Sequence, residues 1–252
     1  MYNTETLIVR IIMKSIKYIL IAFLCLLFSS RTSAQMNAED PYESFNRSMF
    51  EFNIAFHDLV GEPVGKSYKK YVPQPARTGI HNFFINLKMP LNMTNNLLQG
   101  EVEQALGDFM RFTINTVFGL GGLLDIATPA GLPYQKEDFG QTMYKWGLWK
   151  ESSFVVLPVV GGYTFRELVG SGVDGSYNPT YNYIIQTDMQ GRTKILVADQ
   201  FDNYVQVMDL IETVKDSYDP YIFYRESYLQ YRNNLIYDGN PPKPDLDDFD
   251  FN

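Results

Sequence analysis

The stretch 111–127, RFTINTVFGLGGLLDIA, constrains this chain more than any other. Upstream of its glycines, residues 101–118 carry a helical period. Glu101, Gln104, Asp108, Arg111 and Asn115 recur three or four residues apart on one face, and Val102, Ala105, Leu106, Phe109 and Phe112 fill most of the other. Gly119, Gly121 and Gly122 then stop the helix and let the chain turn, because glycine reaches positive φ without a steric cost. Leu123, Leu124, Ile126 and Ala127 follow, interrupted by Asp125. Each apolar arm is about 10 residues, or ~15 Å of helix, which is about half of a ~30 Å hydrocarbon core. On pattern alone the favoured reading is a buried helix corner in an ordinary soluble protein.

Charge narrows the partners. The chain carries −8 overall, and its first 34 residues carry +3 (Arg10, Lys14, Lys17 and Arg31 against Glu5), so residues 35–252 carry −11. A surface of that sign opposes nucleic acid, whose phosphates need a basic face, and opposes electrostatic attraction to anionic lipid. Membrane contact would therefore be hydrophobic. With 18 Phe and 18 Tyr, the chain has the aromatic content of a dense core or of a headgroup-level belt. The lone cysteine, Cys25, and two histidines, His57 and His81, provide no disulfide and no recognisable zinc spacing. No cofactor or metal is expected.

Lys14 and Lys17 precede a short apolar run, 18–28, and Thr32-Ser33-Ala34 supplies small residues for cleavage before Gln35. Residues 1–34 are read as an export signal, with Met13 as the functional start. Residues 35–237 are expected to form one domain. The tail 238–252, with three prolines and five aspartates, is expected to be disordered.

Along the mature chain, Asp40-Pro41 offers an N-cap and a proline at N1 for a helix with Phe45, Met49, Phe52, Phe56 and Leu59 on one face. Gly61, Pro63 and Gly65 should break it, leaving 66–71 as a solvated basic turn. A helix over 76–87 should end at Pro90, with a short one at 91–98. Residues 129–179 show no long helical period, and 153–160 reads as an edge strand limited by Pro158. Helices are expected over 193–214 and, after Asp219-Pro220, over 221–236.

No nucleotide fingerprint is present: Gly119-x-Gly121-Gly122 follows a helix rather than a strand, and Leu124 stands where a third glycine would be. An exported hydrolase using His57 or His81 remains an alternative, although no nucleophile is singled out. Asn46-Arg-Ser48 and Asn92-Met-Thr94 match the glycosylation sequon, a frequent chance match.

Several short motifs occur in a set order: Asp40-Pro-x-Glu-x-Phe-Asn-Arg47, Tyr71-Val-Pro-Gln-Pro-Ala-Arg77, Leu98-Gln-Gly100, Arg111-Phe-x-x-Asn-Thr116, Gly119-x-Gly-Gly-x-x-Asp125, Phe139-Gly-Gln-Thr142, Leu157-Pro158 and Asp219-Pro-Tyr221. Together they resemble the VacJ/MlaA family of outer-membrane lipoproteins, over about 40–232. The resemblance implies an all-α fold: a ring-shaped helical domain with a central amphipathic channel and a glycine-broken helical hairpin. It implies passage of mislocalised phospholipid from the outer leaflet of the outer membrane towards the periplasm, with no enzymatic step. The implied partners are phospholipids, a trimeric outer-membrane porin that holds the ring and a soluble periplasmic lipid carrier. An ATP-driven complex in the inner membrane acts downstream. The implied place is the periplasmic face of the outer membrane. Under this reading the hairpin and channel residues are Phe109, Arg111, Phe112, Asn115, Gly119, Gly121, Gly122 and Asp125. Arg111 and Asn115 would face a headgroup path, and Phe109 and Phe112 would meet acyl chains or the core. An ion pair of Arg111 with Asp108 or Asp125 is the structural alternative. The family is usually lipidated on a cysteine after the signal. Here Cys25 is preceded by Ala22-Phe23-Leu24, a poor acylation context, so an apolar rim and partners would hold the chain.

Overall fold

The computed structural model describes residues 40–180 and 189–242, and these are predominantly helical. The segment expected to be an export signal, Cys25 and the tail from residue 243 lie outside the described residues. Helix α1 (Glu43–Phe56) runs through a π-helical turn (His57–Gly61) into α2 (Glu62–Tyr71). Then come α3 (Gln74–Gln99), α4 (Val102–Val117), α5 (Phe139–Lys145), the hairpin of β1 (Phe154–Leu157) and β2 (Gly161–Thr164), α6 (Phe165–Tyr177), α7 (Met189–Lys215) and α8 (Pro220–Ile236).

Several expectations about boundaries are corrected. The glycines and Pro63 do not end the first helix. The extra residue of the π-turn absorbs them, and Pro63 sits in the first turn of α2, where no N–H is needed. The expected turn at 66–71 is thus helical. Pro90 does not divide α3. An interior proline costs about 3 kcal/mol, and buried asparagines on both sides, Asn86, Asn92, Asn95 and Asn96, tie the helix to its neighbours. Within 129–179, read as lacking a long helical period, Thr164 caps a full helix, α6. Its hydroxyl accepts from Glu167 N at 3.2 Å, and the Glu167 carboxylate accepts from Thr164 N, so a capping box starts α6. Asp40 does not cap α1. Tyr42 occupies the N-cap, and the Asp40 carboxylate is buried elsewhere.

The apolar core is small. Phe50, Phe154, Val156 and Tyr221 form its centre, with Tyr224, Tyr228 and Leu229 packed against them. Asn46 explains how a two-stranded sheet survives there. Its amide donates to Phe154 O (3.1 Å) and accepts from Val156 N (2.9 Å), in the place of a neighbouring strand on the open edge of β1. One heptad later, Asn53 bonds Leu157 O and Val159 N in the same way. Asp40 accepts from Asn46 (2.7 Å), Tyr221 Oη and Arg225 (3.3 Å), and Arg47 bonds Asp219 in bidentate fashion (3.0 and 2.8 Å) while lying over the Tyr221 ring. The motifs at 40–47 and 219–221 therefore lock the first helix to the last. Asn46 and Asn92, the two sequon asparagines, are both buried and hydrogen-bonded within the fold.

Candidate functional site: an inside-out helical hairpin

Helices α3 and α4 form a hairpin whose polar residues face inward. On α4, Asp108, Arg111 and Asn115 are buried, whereas Val102, Leu106, Phe109, Met110 and Val117 are at least half exposed. Phe112 is intermediate. The exposed apolar surface continues through Phe118, Leu120, Leu123, Leu124 and Ile126, and α3 adds Leu97 and Leu98. Helical periodicity identifies the two faces of α4, and the structure shows that the polar one is inside.

The inner face is a network of hydrogen bonds, with Arg111 Nε left without a partner among the described residues. Arg111 donates from Nη1 to Thr128 Oγ1 (2.9 Å) and Leu132 O, and from Nη2 to both Asp125 oxygens (3.3 Å each). Asn115 donates to Asp125 (3.1 Å) and accepts from Ile126 N (2.8 Å) and Ala127 N (3.0 Å). Thr128 donates to Asp125 from both N and Oγ1. Burial raises the Asp125 carboxyl, but the bonds from Thr128 and Asn115 and the charge of Arg111 outweigh it and hold the pKa below its ordinary value. Asp108 sits one turn earlier. Burial pushes it up to about 6, against a 2.8 Å bond from Asn96 and the charge of Arg111. Of the two anticipated partners, Arg111 pairs with Asp125.

The turn itself needs glycine. Leu120, Gly121 and Gly122 are consecutively left-handed, at φ 55°, 73° and 95°. Gly121 N and Gly122 N donate to Thr116 O and Asn115 O, satisfying carbonyls at the end of α4. A Cβ at Gly122 would lie 2.6 Å from the Asn86 Cβ, and one at Gly119 2.3 Å from Leu124 O, whereas one at Gly121 would meet nothing within 4 Å.

The structure thus brings together Arg111, Asn115, Gly119, Gly122 and Asp125 in one knot, and places Phe109 and Gly121 on its exposed side. The sequence reading missed the inner face of α3. Asn86 bonds Thr116, Asn92 bonds Gln135 O, Asn95 bonds Asp174 and Thr142, Asn96 bonds Asp108, and Gln99 bonds Glu137. The recurrence of amides at 82, 86, 92, 95, 96 and 99 was the available signal. Beside it, Tyr134, Glu137, Tyr231 and Asn234 line a cleft of about 290 Å³. Burial pushes the Glu137 carboxyl up to about 8, opposed by the Gln99 bond and supported by neighbouring Asp238, Asp138 and Glu101. Asp138 is the contrasting case. Burial raises it, but bidentate Arg232 (2.7 and 3.1 Å) outweighs that and holds it at about 2.

The two histidines lie in separate places, each on a partner from α7. His81 Nδ1 lies 2.7 Å from Asp202, and His57 Nδ1 lies 2.8 Å from Tyr204 Oη. Neither is hydrogen-bonded to a serine, threonine or cysteine among the described residues.

The model of the MlaA lipoprotein family matches residues 38–235. The chain belongs to the MlaA family. It is 35% identical over 220 residues to the intermembrane phospholipid transport system lipoprotein MlaA of Escherichia coli (strain K12), covering 86% of this chain and 85% of that protein. It is 34% identical over 208 residues to the protein of the same name from Haemophilus influenzae, covering 79% and 80%. A solved structure concerned with the structural basis for maintenance of bacterial outer membrane lipid asymmetry superposes with a TM-score of 0.68 at 34% identity, covering 78% of this chain and 98% of that one. The fold is helical, as expected, apart from the small β1–β2 hairpin, and the hairpin knot uses the family-like motifs Arg111-Phe-x-x-Asn-Thr116 and Gly119-x-Gly-Gly-x-x-Asp125.

Proposed function

We propose that this chain transports phospholipid between the outer and inner membranes, removing mislocalised lipid from the outer leaflet of the outer membrane, without catalysing a reaction. The observation that carries the reading is the inside-out hairpin. In water, exposing Leu106, Phe109, Val117, Phe118, Leu120 and Leu124 together forgoes about 25 cal/mol for each Å² of apolar surface left unburied. In hydrocarbon that penalty vanishes, and the polar residues are the ones that must be enclosed and paired. No helix among the described residues is long and apolar enough to cross a membrane, which fits seating in one leaflet of the outer membrane at its periplasmic face.

The mechanism is selective passage. Acyl chains follow apolar surface, and the headgroup follows the polar cleft beside Glu137. Arg111, Asn115 and Asp125 act by holding the hairpin turn, and their bonding partners within the protein favour a positioning role over direct headgroup contact. Direction comes from outside the chain: a trimeric porin holds it, and a soluble periplasmic carrier receives the lipid. The test is surface-exposed phospholipid in cells carrying Gly122→Val at normal protein level. Raised surface phospholipid is expected. Wild-type levels would overturn the hairpin's role in transport.

A further inference from the structure

The π-turn between α1 and α2 builds a second site, away from the hairpin. In a regular α-helix, residue 62 would stand about 140° round the axis from residue 57. The π-turn changes this. Glu62 N donates to His57 O across five residues, which stacks the Glu62 side chain over that of His57. The fourth member comes from α7, where a Cβ at Gly61 would lie 2.5 Å from Tyr204 Oη, so glycine permits the close approach. His57, Asp58, Glu62 and Glu212 thereby each present a ligand atom within 4.8 Å of the others.

The histidine points to a ligand independently of the carboxylates. His57 is 4% exposed, and its Nε2 is buried with no hydrogen-bond partner among the described residues, 3.9 Å from Glu212 Oε1. Its other nitrogen is fixed by Tyr204 Oη at 2.8 Å. With the Nδ1 proton donated to that oxygen, the Nε2 lone pair is aimed at the carboxylates, the arrangement by which an outer partner orients a metal-bound imidazole. Charge agrees. Asp58 and Glu212 share Lys215 (3.0 and 3.1 Å), and Glu62 pairs with Lys66 (2.5 Å). Three carboxylates against two ammonium groups leave one negative charge in surplus.

We propose that His57, Asp58, Glu62 and Glu212 form a binding site for a zinc-like divalent cation that clamps the π-turn to α7. One imidazole with carboxylates selects a first-row transition ion over magnesium or calcium, which take oxygen ligands. Zinc at ~2.1 Å from each ligand needs donor atoms ~3.4 Å apart, so from separations of up to 4.8 Å the carboxylates must close by up to ~1.4 Å. Asp58 and Glu212, with side chains 44% and 53% exposed, have that freedom, and buried His57 stays fixed. Lys215 and Lys66 would swing into solvent. The sequence has no spacing that reveals the site, because its last ligand lies 150 residues beyond the first three.

The experiment is calorimetric titration of the purified full chain in detergent with ZnCl₂, and separately with MgCl₂. One equivalent of zinc is expected to bind, with at least tenfold weaker binding in Glu212→Gln and Asp58→Asn, and no comparable response to magnesium. Both variants alter exposed side chains, so they test ligation without depending on how well a His57→Gln variant folds. His81→Gln is expected to keep full affinity. Zinc affinity unchanged in Glu212→Gln and Asp58→Asn, loss of binding in His81→Gln, or no saturable zinc binding to the parent chain would each overturn the proposal.

Discussion

Two regions of this molecule solve the burial problem in opposite senses. Around Phe50, Phe154 and Tyr221, aromatic and aliphatic side chains are enclosed, and buried polar groups such as Asn46 and Asp40 complete a strand edge or join the first helix to the last. In the α3–α4 hairpin, Asn86, Asn96, Asp108, Arg111 and Asn115 are enclosed, and Leu106, Phe109, Phe118 and Leu120 are displayed. The same physics accounts for both on the proposed function: the first region is organised against water, and the hairpin against hydrocarbon.

The contrast can be broken by mutation. Arg111→Ala should have the largest effect, about 4 kcal/mol of stability, because Asp125 and Leu132 O lose a buried partner. Denaturant unfolding in detergent would measure it, and a loss below about 1 kcal/mol would mean that the inner knot is not structural. Phe50→Ala, on the water-facing side of the comparison, should cost about 3 kcal/mol by leaving a cavity. Gly122→Val should cost about 2–3 kcal/mol, from positive φ and collision with Asn86, while Gly121→Val should cost about 1 kcal/mol from φ alone. Equal effects at the two glycines would contradict the close packing of Gly122 on Asn86.

A pH series sharpens the comparison at the cleft. The folded-state pKa of Glu137 is raised to about 8 from 4.5, so its contribution to stability is full below about pH 4.5 and is lost as pH rises towards 8. Glu137→Gln should therefore stabilise the protein at pH 8 and change little at pH 4.5. A larger gain at the acid end of a thermal melting series would reverse the assignment. The smallest expected effect on stability is that of Leu120→Ser, within about 0.5 kcal/mol in detergent, since the side chain is 70% exposed. Its consequence should appear instead as weaker association with phospholipid vesicles.

The elements were legible where period and punctuation agree. Helix α4 and its glycine stop follow from 101–122, and α8 from Asp219-Pro220, whose carboxylate does cap Ile222 N. They were not legible where tertiary contacts override local preference. Pro90 reads as a break, but the asparagine ladder carries α3 through it. Gly61 and Pro63 read as a stop, but the π-turn accommodates them. Glycine-rich 165–177 lacks a clear period, yet becomes helical because Gly170 lets α6 cross against Gly140, where a Cβ would sit 2.4 Å from the Gly140 nitrogen. For the candidate site, the sequence named the knot residues and the two faces of α4. It could not say which face looks inward, because periodicity is blind to the solvent.

The inside-out hairpin is tested most directly by nitroxide labels at Leu106, Phe118 and Leu120, introduced as cysteines in a Cys25→Ser background. The protein is reconstituted into phospholipid bilayers, and the collision of each label with oxygen is compared with that of a water-soluble nickel chelate. Oxygen should be strongly favoured at all three positions, as for side chains in hydrocarbon. Preferential collision with the nickel chelate would place these residues in water and contradict the account.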